Sequence, residues 1–149
     1  GLVSEAGMPA VADPGSSVVR AAHALGARVV PLVGPVSLLL TLAASGLNGQ
    51  NFAFVGYLPQ DASERAQRVR ALETLALKTG QTQLFIETPY RNAALWQALL
   101  QTLQPSTQLT CAAGLTLAQA SIHTRSASQW RGHAIPVDNR TPAVFAIGV

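Results

Sequence analysis

Three runs in the chain, "ARVVPLV" (27–33), "TQLFIE" (82–87) and "PAVFAIGV" (142–149), are apolar with little or no alternation. Successive side chains of a strand point to opposite faces, so a strand with one wet face alternates apolar and polar residues. Runs without alternation need cover on both faces, as in a largely parallel sheet with helices on either side. Segments with apolar residues at helical spacing separate them, so the chain is expected to be α/β.

The order of elements suggests two domains. Residues 1–3 read as the end of a strand, "SSVVRAAHALG" (16–26) as a helix stopped by Gly26, 27–33 as a buried strand, and 36–46 as a helix apolar nearly all round. These four elements are fewer than a domain needs for its own core. The expectation is therefore that residues 1–47 are the last part of a first, parallel α/β domain whose upstream strands are missing. "GLNGQN" (46–51) reads as a linker, with the division at 48–51. Residues 52–149 read as a second α/β domain with a mixed sheet. Its expected strands are 52–58, 82–87, 107–114, 117–125 and 142–149, with 107–114 and 117–125 a possible hairpin. Its expected helices are a long one after Asp61 or Ser63 that stops at Gly80, one over 89–103, and a short turn at 126–131.

Composition narrows the function classes. The chain has 149 residues, 48% hydrophobic and 11% charged, with a single cysteine, Cys111. One cysteine excludes an internal disulfide framework and fits a reducing cytoplasm, where the protein is expected. The longest apolar stretch, "VSLLLTLAASGL", is too short and too interrupted to cross a bilayer, so no membrane partner is expected. The net charge of +3 comes from arginine, since Lys78 is the only lysine. That bias is compatible with a nucleic-acid partner. His23, His123 and His133 are far apart and no HExxH or CxxC is present, so no metal is expected. A GxSxG elbow, a GxxxxGK[ST] loop and a GxGxxG loop are also absent.

What remains is a set of Gly/Pro loops at strand ends: "SEAGMPAVADPG" (4–15), "VGPVS" (33–37), "GYLPQ" (56–60) and "IETPYR" (86–91). In open α/β sheets ligands bind at the carboxyl ends of the strands. Such loops suit a ligand held by main-chain contacts, for example a nucleoside. Plainer readings stand beside this one. Asp13-Pro14-Gly15 reads also as a turn into a helix, Thr88-Pro89 as a cap with a first-turn proline, and Arg65, Arg68 and Arg70 as a solvated helix face. Cys111 reads as a packed core thiol. Glu87 closes a buried strand and needs a partner, either Arg91 or a ligand.

Taken together, "LVSEAGMPAVADPG", "VVPLVGPVSLL", "FVGYLP" and "LFIETPYR" resemble, in order and spacing, the S-adenosylmethionine-dependent tetrapyrrole methylase family. The nearest branch is the one that methylates a ribose 2′-hydroxyl (of cytidine) in small-subunit ribosomal RNA. That branch reads SDAGTP–DPG, PGPSA, GFLP and ESPHR at these points. The resemblance implies two α/β domains with the cofactor, S-adenosylmethionine, in the cleft between them, a homodimer, and an RNA substrate. It implies that this chain looks like a C-terminal fragment, inactive alone, and that a glycine-rich loop upstream also lines the cleft.

By motif, Glu5, Ala6 and Gly7 stand where the first-domain loop meets the cofactor, and Ser37 and Leu38 where the "PGPSA" helix start meets it. Glu87, Thr88 and Pro89 match the second-domain cleft loop, with Ala113 and Pro142 near positions that close over the adenosine. Glu5 and Glu87 are the candidate carboxylates for catalysis. The chain departs from the branch in three places: Glu5 replaces an aspartate, "GPVS" replaces "GPSA", and "CAAGLTLAQAS" (111–121) lacks an Arg-Glu-Leu-Thr-Lys stretch and a later glutamate. The last departure bears on the RNA substrate, so a divergent paralogue, or a methylase of a tetrapyrrole or other small molecule, is the alternative. A binding or dimerisation module without activity is another, and a nucleotide-handling α/β hydrolase a third.

Overall fold

Asp61 is the N-cap of the longest helix: its Oδ1 accepts from the backbone N–H of Ser63 and of Glu64, both at 2.9 Å. That helix, α3, spans Ala62–Thr79 and ends on Gly80 at φ 68°. Val69, Leu72, Glu73 and Ala76 form its buried face, at the spacing a helix presents on one side. The computed structural model describes Leu2 and residues 7–149. The other elements are α1 (Ser16–Ala24), α2 (Ser37–Ser45), β1 (Phe52–Tyr57), β2 (Thr82–Ile86), a 3-10 turn (Pro89–Arg91) and α4 (Asn92–Thr102). β3 (Gln108–Ala113), β4 (Ser121–Ser126), α5 (Ala127–Trp130) and β5 (Ala143–Gly148) follow.

The five strands form one sheet in the order β1-β2-β5-β3-β4. β1 and β2 are parallel, joined through α3, and the remaining pairs are antiparallel. The sheet is therefore mixed, and β3 and β4 are the hairpin. One face carries the main core, where Phe85 and Phe145 stack with centroids 6.1 Å apart. Trp96 of α4 meets Trp130 of α5 edge-on at 5.0 Å, and the Trp130 indole N–H donates to the Leu109 carbonyl at 2.7 Å. Leu84, Ala112, Val144 and Ala146 alternate to the other face and are buried as well. On that face Thr124 donates to the Ser45 carbonyl at 2.7 Å, which seats the end of α2. Apolar strands covered on both sides follow from this arrangement.

Two compact units are distinct, residues 1–37 and 38–149. The sequence puts the division at 48–51, later than the observed one. Within the expected linker, Asn48 donates to the Gly80 carbonyl at 2.9 Å, and its own carbonyl accepts from Thr82 at 3.0 Å. Those bonds tie the expected linker to the end of α3 and the start of β2.

In the first unit, Gly26 (φ 69°) follows α1 as expected. The expected strand 27–33 does not form: 27–36 has no regular structure, and Val30 and Leu32 are 55% and 80% exposed. A strand exists only against a neighbour, and no described segment of this unit offers one. No residue of α1 is buried either. The expected strand 1–3 lies largely outside the described residues.

Three further expectations differ in detail. α2 is not buried all round, since Leu39 and Leu40 are exposed while Leu38, Thr41, Leu42 and Ser45 are buried. Pro89 starts a 3-10 turn rather than the helix itself. The strand expected from 117 begins at Ser121, because Thr116 adopts φ 69° and residues 114–120 turn through the Leu117 N–H to Gly114 carbonyl bond.

Candidate functional site

Because β1 and β2 are parallel and β5 runs against both β2 and β3, the carboxyl ends of β1, β2 and β3 share one edge of the sheet. The amino ends of β4 and β5 lie there too: Ala113 pairs with both Ser121 and Ala143. Four connections meet at this edge: 58–61, 87–91, 114–120 and the approach to β5 over 131–142. Two of the four Gly/Pro loops singled out by sequence are among them.

Glu87 follows the last residue of β2, and its side chain is only 1% exposed. Its Oε1 accepts from the Thr88 N–H at 2.7 Å, the Thr88 hydroxyl at 3.1 Å and Arg91 Nε at 3.1 Å, with Arg91 Nη2 at 2.9 Å. Arg91 Nε donates also to Thr88 Oγ1 at 3.1 Å. Of the two partners the sequence allows for this carboxylate, the structure supplies Arg91. Burial of an acid next to a guanidinium is sustainable only in such a paired, hydrogen-bonded form.

Asn92 is fully buried at the start of α4. Its Nδ2 donates to the carbonyls of Asp138 (3.1 Å) and Thr141 (2.9 Å), and the Ala93 N–H donates to Asn139 Oδ1 at 3.0 Å. The Asp138 carboxylate in turn accepts from the N–H of Arg140 and of Thr141. Those two bonds hold the Asp138 carboxyl below its usual range, aided by the Thr141 side chain and the Arg140 charge and opposed slightly by desolvation. The segment 138–142 is thus built from its own turn bonds and then pinned to α4.

The Pro142 carbonyl accepts from the Gly114 N–H at 3.0 Å, which places Pro142 beside the end of β3. Gly114 has φ 62°, and a Cβ there would meet the Thr141 methyl at 3.3 Å, so backbone shape and space both select glycine. Ala113, Ala143, Pro142 and Gly114 bring small residues together at this part of the edge, with the half-exposed Leu117 side chain beside Gly114.

The structure brings Glu87, Thr88 and Pro89 together in one loop, and Ala113 and Pro142 together at the same edge. Gly7 (φ 84°) and Ser37 belong to the first unit, and Leu38 is a buried residue at the start of the second. Glu5 and Ala6 lie outside the described residues. Sequence reasoning missed Asn92, Asp138, Asn139 and Thr141. The signal was present as "VDNRTP" (137–142), a cluster of turn-forming residues directly before an apolar strand. No group of three or more potential metal ligands occurs among the described residues, and none of their helices is long and apolar enough to cross a membrane.

No family model matches the chain. Among curated proteins it is similar to ribosomal RNA small subunit methyltransferase I of Pseudomonas aeruginosa, 42% identical over 90 residues, 60% of this chain and 30% of that protein. The protein of the same name from Vibrio cholerae is 37% identical over 115 residues, 77% of this chain and 38% of that protein. The one from Escherichia coli O157:H7 is 34% identical over 122 residues, 82% of this chain and 41% of that protein. The chain thus spans between 30% and 41% of the length of these relatives. Among solved structures, the methyltransferase CobJ superposes with a TM-score of 0.59 at 20% identity, over 95% of this chain and 61% of that one. Uroporphyrin-III C-methyl transferase from Thermus thermophilus, complexed with S-adenosyl homocysteine, gives 0.55 at 18% identity, over 95% and 62%. The chain has the fold of the tetrapyrrole methylases, and in sequence it is a relative of the ribosomal RNA small subunit methyltransferases I.

Proposed function

We propose that the protein carrying this chain is an S-adenosylmethionine-dependent methyltransferase that acts on RNA, at a ribose 2′-hydroxyl of small-subunit ribosomal RNA or in a divergent paralogue's substrate. The observation that carries the reading is the sequence similarity to ribosomal RNA small subunit methyltransferase I, 34% identity over 82% of this chain. A fold neighbour complexed with S-adenosyl homocysteine supports the choice of cofactor.

In this reading Glu87, Thr88, Pro89, Ala113 and Pro142 contribute to the cofactor site, as the motif resemblance also implies for Glu5, Ala6, Gly7, Ser37 and Leu38. When bound, the cofactor supplies an electrophilic methyl group on a sulfonium. The chain's contribution is to align and to exclude water, since methyl transfer depends on an in-line approach. Glu87 acts by fixing Arg91 and the 88–91 turn. A hydroxyl acceptor also needs a base for its proton, and Glu5 is the remaining carboxylate candidate. The protein works in the cytoplasm as a homodimer, without a metal or a membrane partner.

The test uses the complete protein that carries this chain. Calorimetric titration with S-adenosylmethionine or S-adenosyl homocysteine is expected to give heat and a thermal shift; neither would sink the reading. Radiolabelled cofactor is then offered with small ribosomal subunits, bare ribosomal RNA, or a uroporphyrinogen macrocycle. Label is expected in RNA. The fold neighbour that is a uroporphyrin-III methyltransferase favours a second reading, and label in the macrocycle alone would establish it.

A further inference from the structure

We propose that Tyr90, backed by Arg91, is a stacking platform for an unpaired base of the acceptor RNA; this rests on the RNA reading above. Tyr90 lies in the 3-10 turn after β2, at the ligand-binding edge, and is 68% exposed. A lone exposed aromatic needs no explanation. This one differs in what stands behind it. The Arg91 guanidinium carbon lies 5.2 Å from the ring centroid, within cation–π range.

That guanidinium is fixed. Nε and Nη2 are held by the buried Glu87 carboxylate, and Nε again by the Thr88 hydroxyl. Pro89 restricts the backbone immediately before the ring. The result is a flat surface held on a clamped cation, with the rest of the ring open to solvent. Little conformational freedom remains to be lost when a second flat group lies on it.

Unpaired RNA bases are recognised by stacking on aromatic rings and on arginine planes, whereas bases in a duplex are already stacked on their neighbours. A base stacked on Tyr90 would bring its own or an adjacent ribose to the edge where Ala113 and Pro142 lie. Tyr90 is in this sense a positioning residue for the acceptor, and it should have no part in holding the cofactor.

The experiment measures binding of a fluorescein-labelled single-stranded oligocytidylate to the complete protein by anisotropy, with a duplex RNA of equal length beside it. S-adenosyl homocysteine affinity is measured by calorimetry on the same samples. Tyr90→Ala is expected to weaken single-strand binding by roughly tenfold. Tyr90→Phe and Tyr90→Trp should stay within about twofold, since stacking needs the ring and not its hydroxyl. The salt dependence of binding should be the same in Tyr90→Ala as in the parent, because no phosphate contact is removed. Cofactor affinity should not change.

Unaltered single-strand binding by Tyr90→Ala overturns the platform, as does a parent protein that binds S-adenosyl homocysteine but prefers the duplex or binds no RNA. Equal loss of RNA and cofactor binding in Tyr90→Ala overturns it too, by showing a structural role. A parent that binds no cofactor removes the methyltransferase reading instead, and the RNA arm still decides on Tyr90.

Discussion

Cys111 sits in the middle of β3, against the aromatic core, and burial pushes its thiol up from 9.0 to about 12. The thiolate is the reactive form, so this cysteine is inert while the protein is folded. A thiol-specific disulfide reagent at pH 8 is expected to label it only after denaturation. The same shift has a thermodynamic side. The unfolded chain releases the proton near 9 and the folded chain near 12, so stability is intact below pH 9 and declines as pH rises towards 12, by about 1.4 kcal/mol per pH unit. Equilibrium urea melts from pH 8 to 11 check it. A Cys111→Ala variant should lack that part of the alkaline slope, whatever its stability at pH 7.

Glu87 allows a different prediction at the same scale. Replacing it with alanine leaves the Arg91 guanidinium, a quarter exposed, without its buried partner and the Thr88 N–H without its acceptor. The expected loss is roughly 2 kcal/mol in urea melts. Glu87→Gln keeps an acceptor for Thr88 and should lose about half as much. Equal effects of the two substitutions would mean that charge, not hydrogen bonding, holds the turn.

At the scale of elements, α4 and the 138–142 segment are joined through one side chain. Asn92→Ala removes two part-buried bonds to the Asp138 and Thr141 carbonyls, and the expected cost is about 2 kcal/mol. Amide exchange in the variant should speed up at Arg140 and Thr141 before it does in β3. The contrast with the sequence reading is instructive here. Asp61 and Gly80 announce α3 because capping is local: the residues that end a helix stand next to it. Most strands of the second unit are legible for a similar reason, as apolar runs between breakers, whereas β4 (SIHTRS) is largely polar and begins later than the sequence suggests. Asn92 is not legible, because its partners lie nearly fifty positions away, and nothing near it distinguishes a surface turn from a tie between segments. Residues 27–33 fail in the opposite sense. Their β-branched composition states a preference, but pairing needs a second strand, and composition cannot supply one.

For the whole molecule, this difference predicts where a protease enters. Arg28 lies in the exposed irregular segment 27–36, in the first unit. Arginines of the second unit stand on α3, in β4 or in bonded turns: Arg65 donates to the Gln60 carbonyl, Arg125 pairs with Leu109 in the sheet, and Arg131 donates to the carbonyls of Leu100 and Leu103. Brief trypsin treatment is expected to cut after Arg28 first and to leave a resistant piece that begins at Val29. Mass spectrometry of the first product checks this, and an initial cut within 62–149 would contradict it.

The strand order β1-β2-β5-β3-β4 has a consequence for synthesis on the ribosome. β5 is the last of the five strands to be made, yet it is the central one, paired with β3 over its whole length and with β2 over Val144–Ile147. Until it emerges, β1–β2 and β3–β4 are two separate pairs, each with an apolar edge facing the same vacant slot. Nascent chains ending before Ala143 therefore carry two open edges at once, which is the form most exposed to wrong pairing and to capture by chaperones. Closure then comes in a single event, late, as one apolar strand slides between two waiting partners.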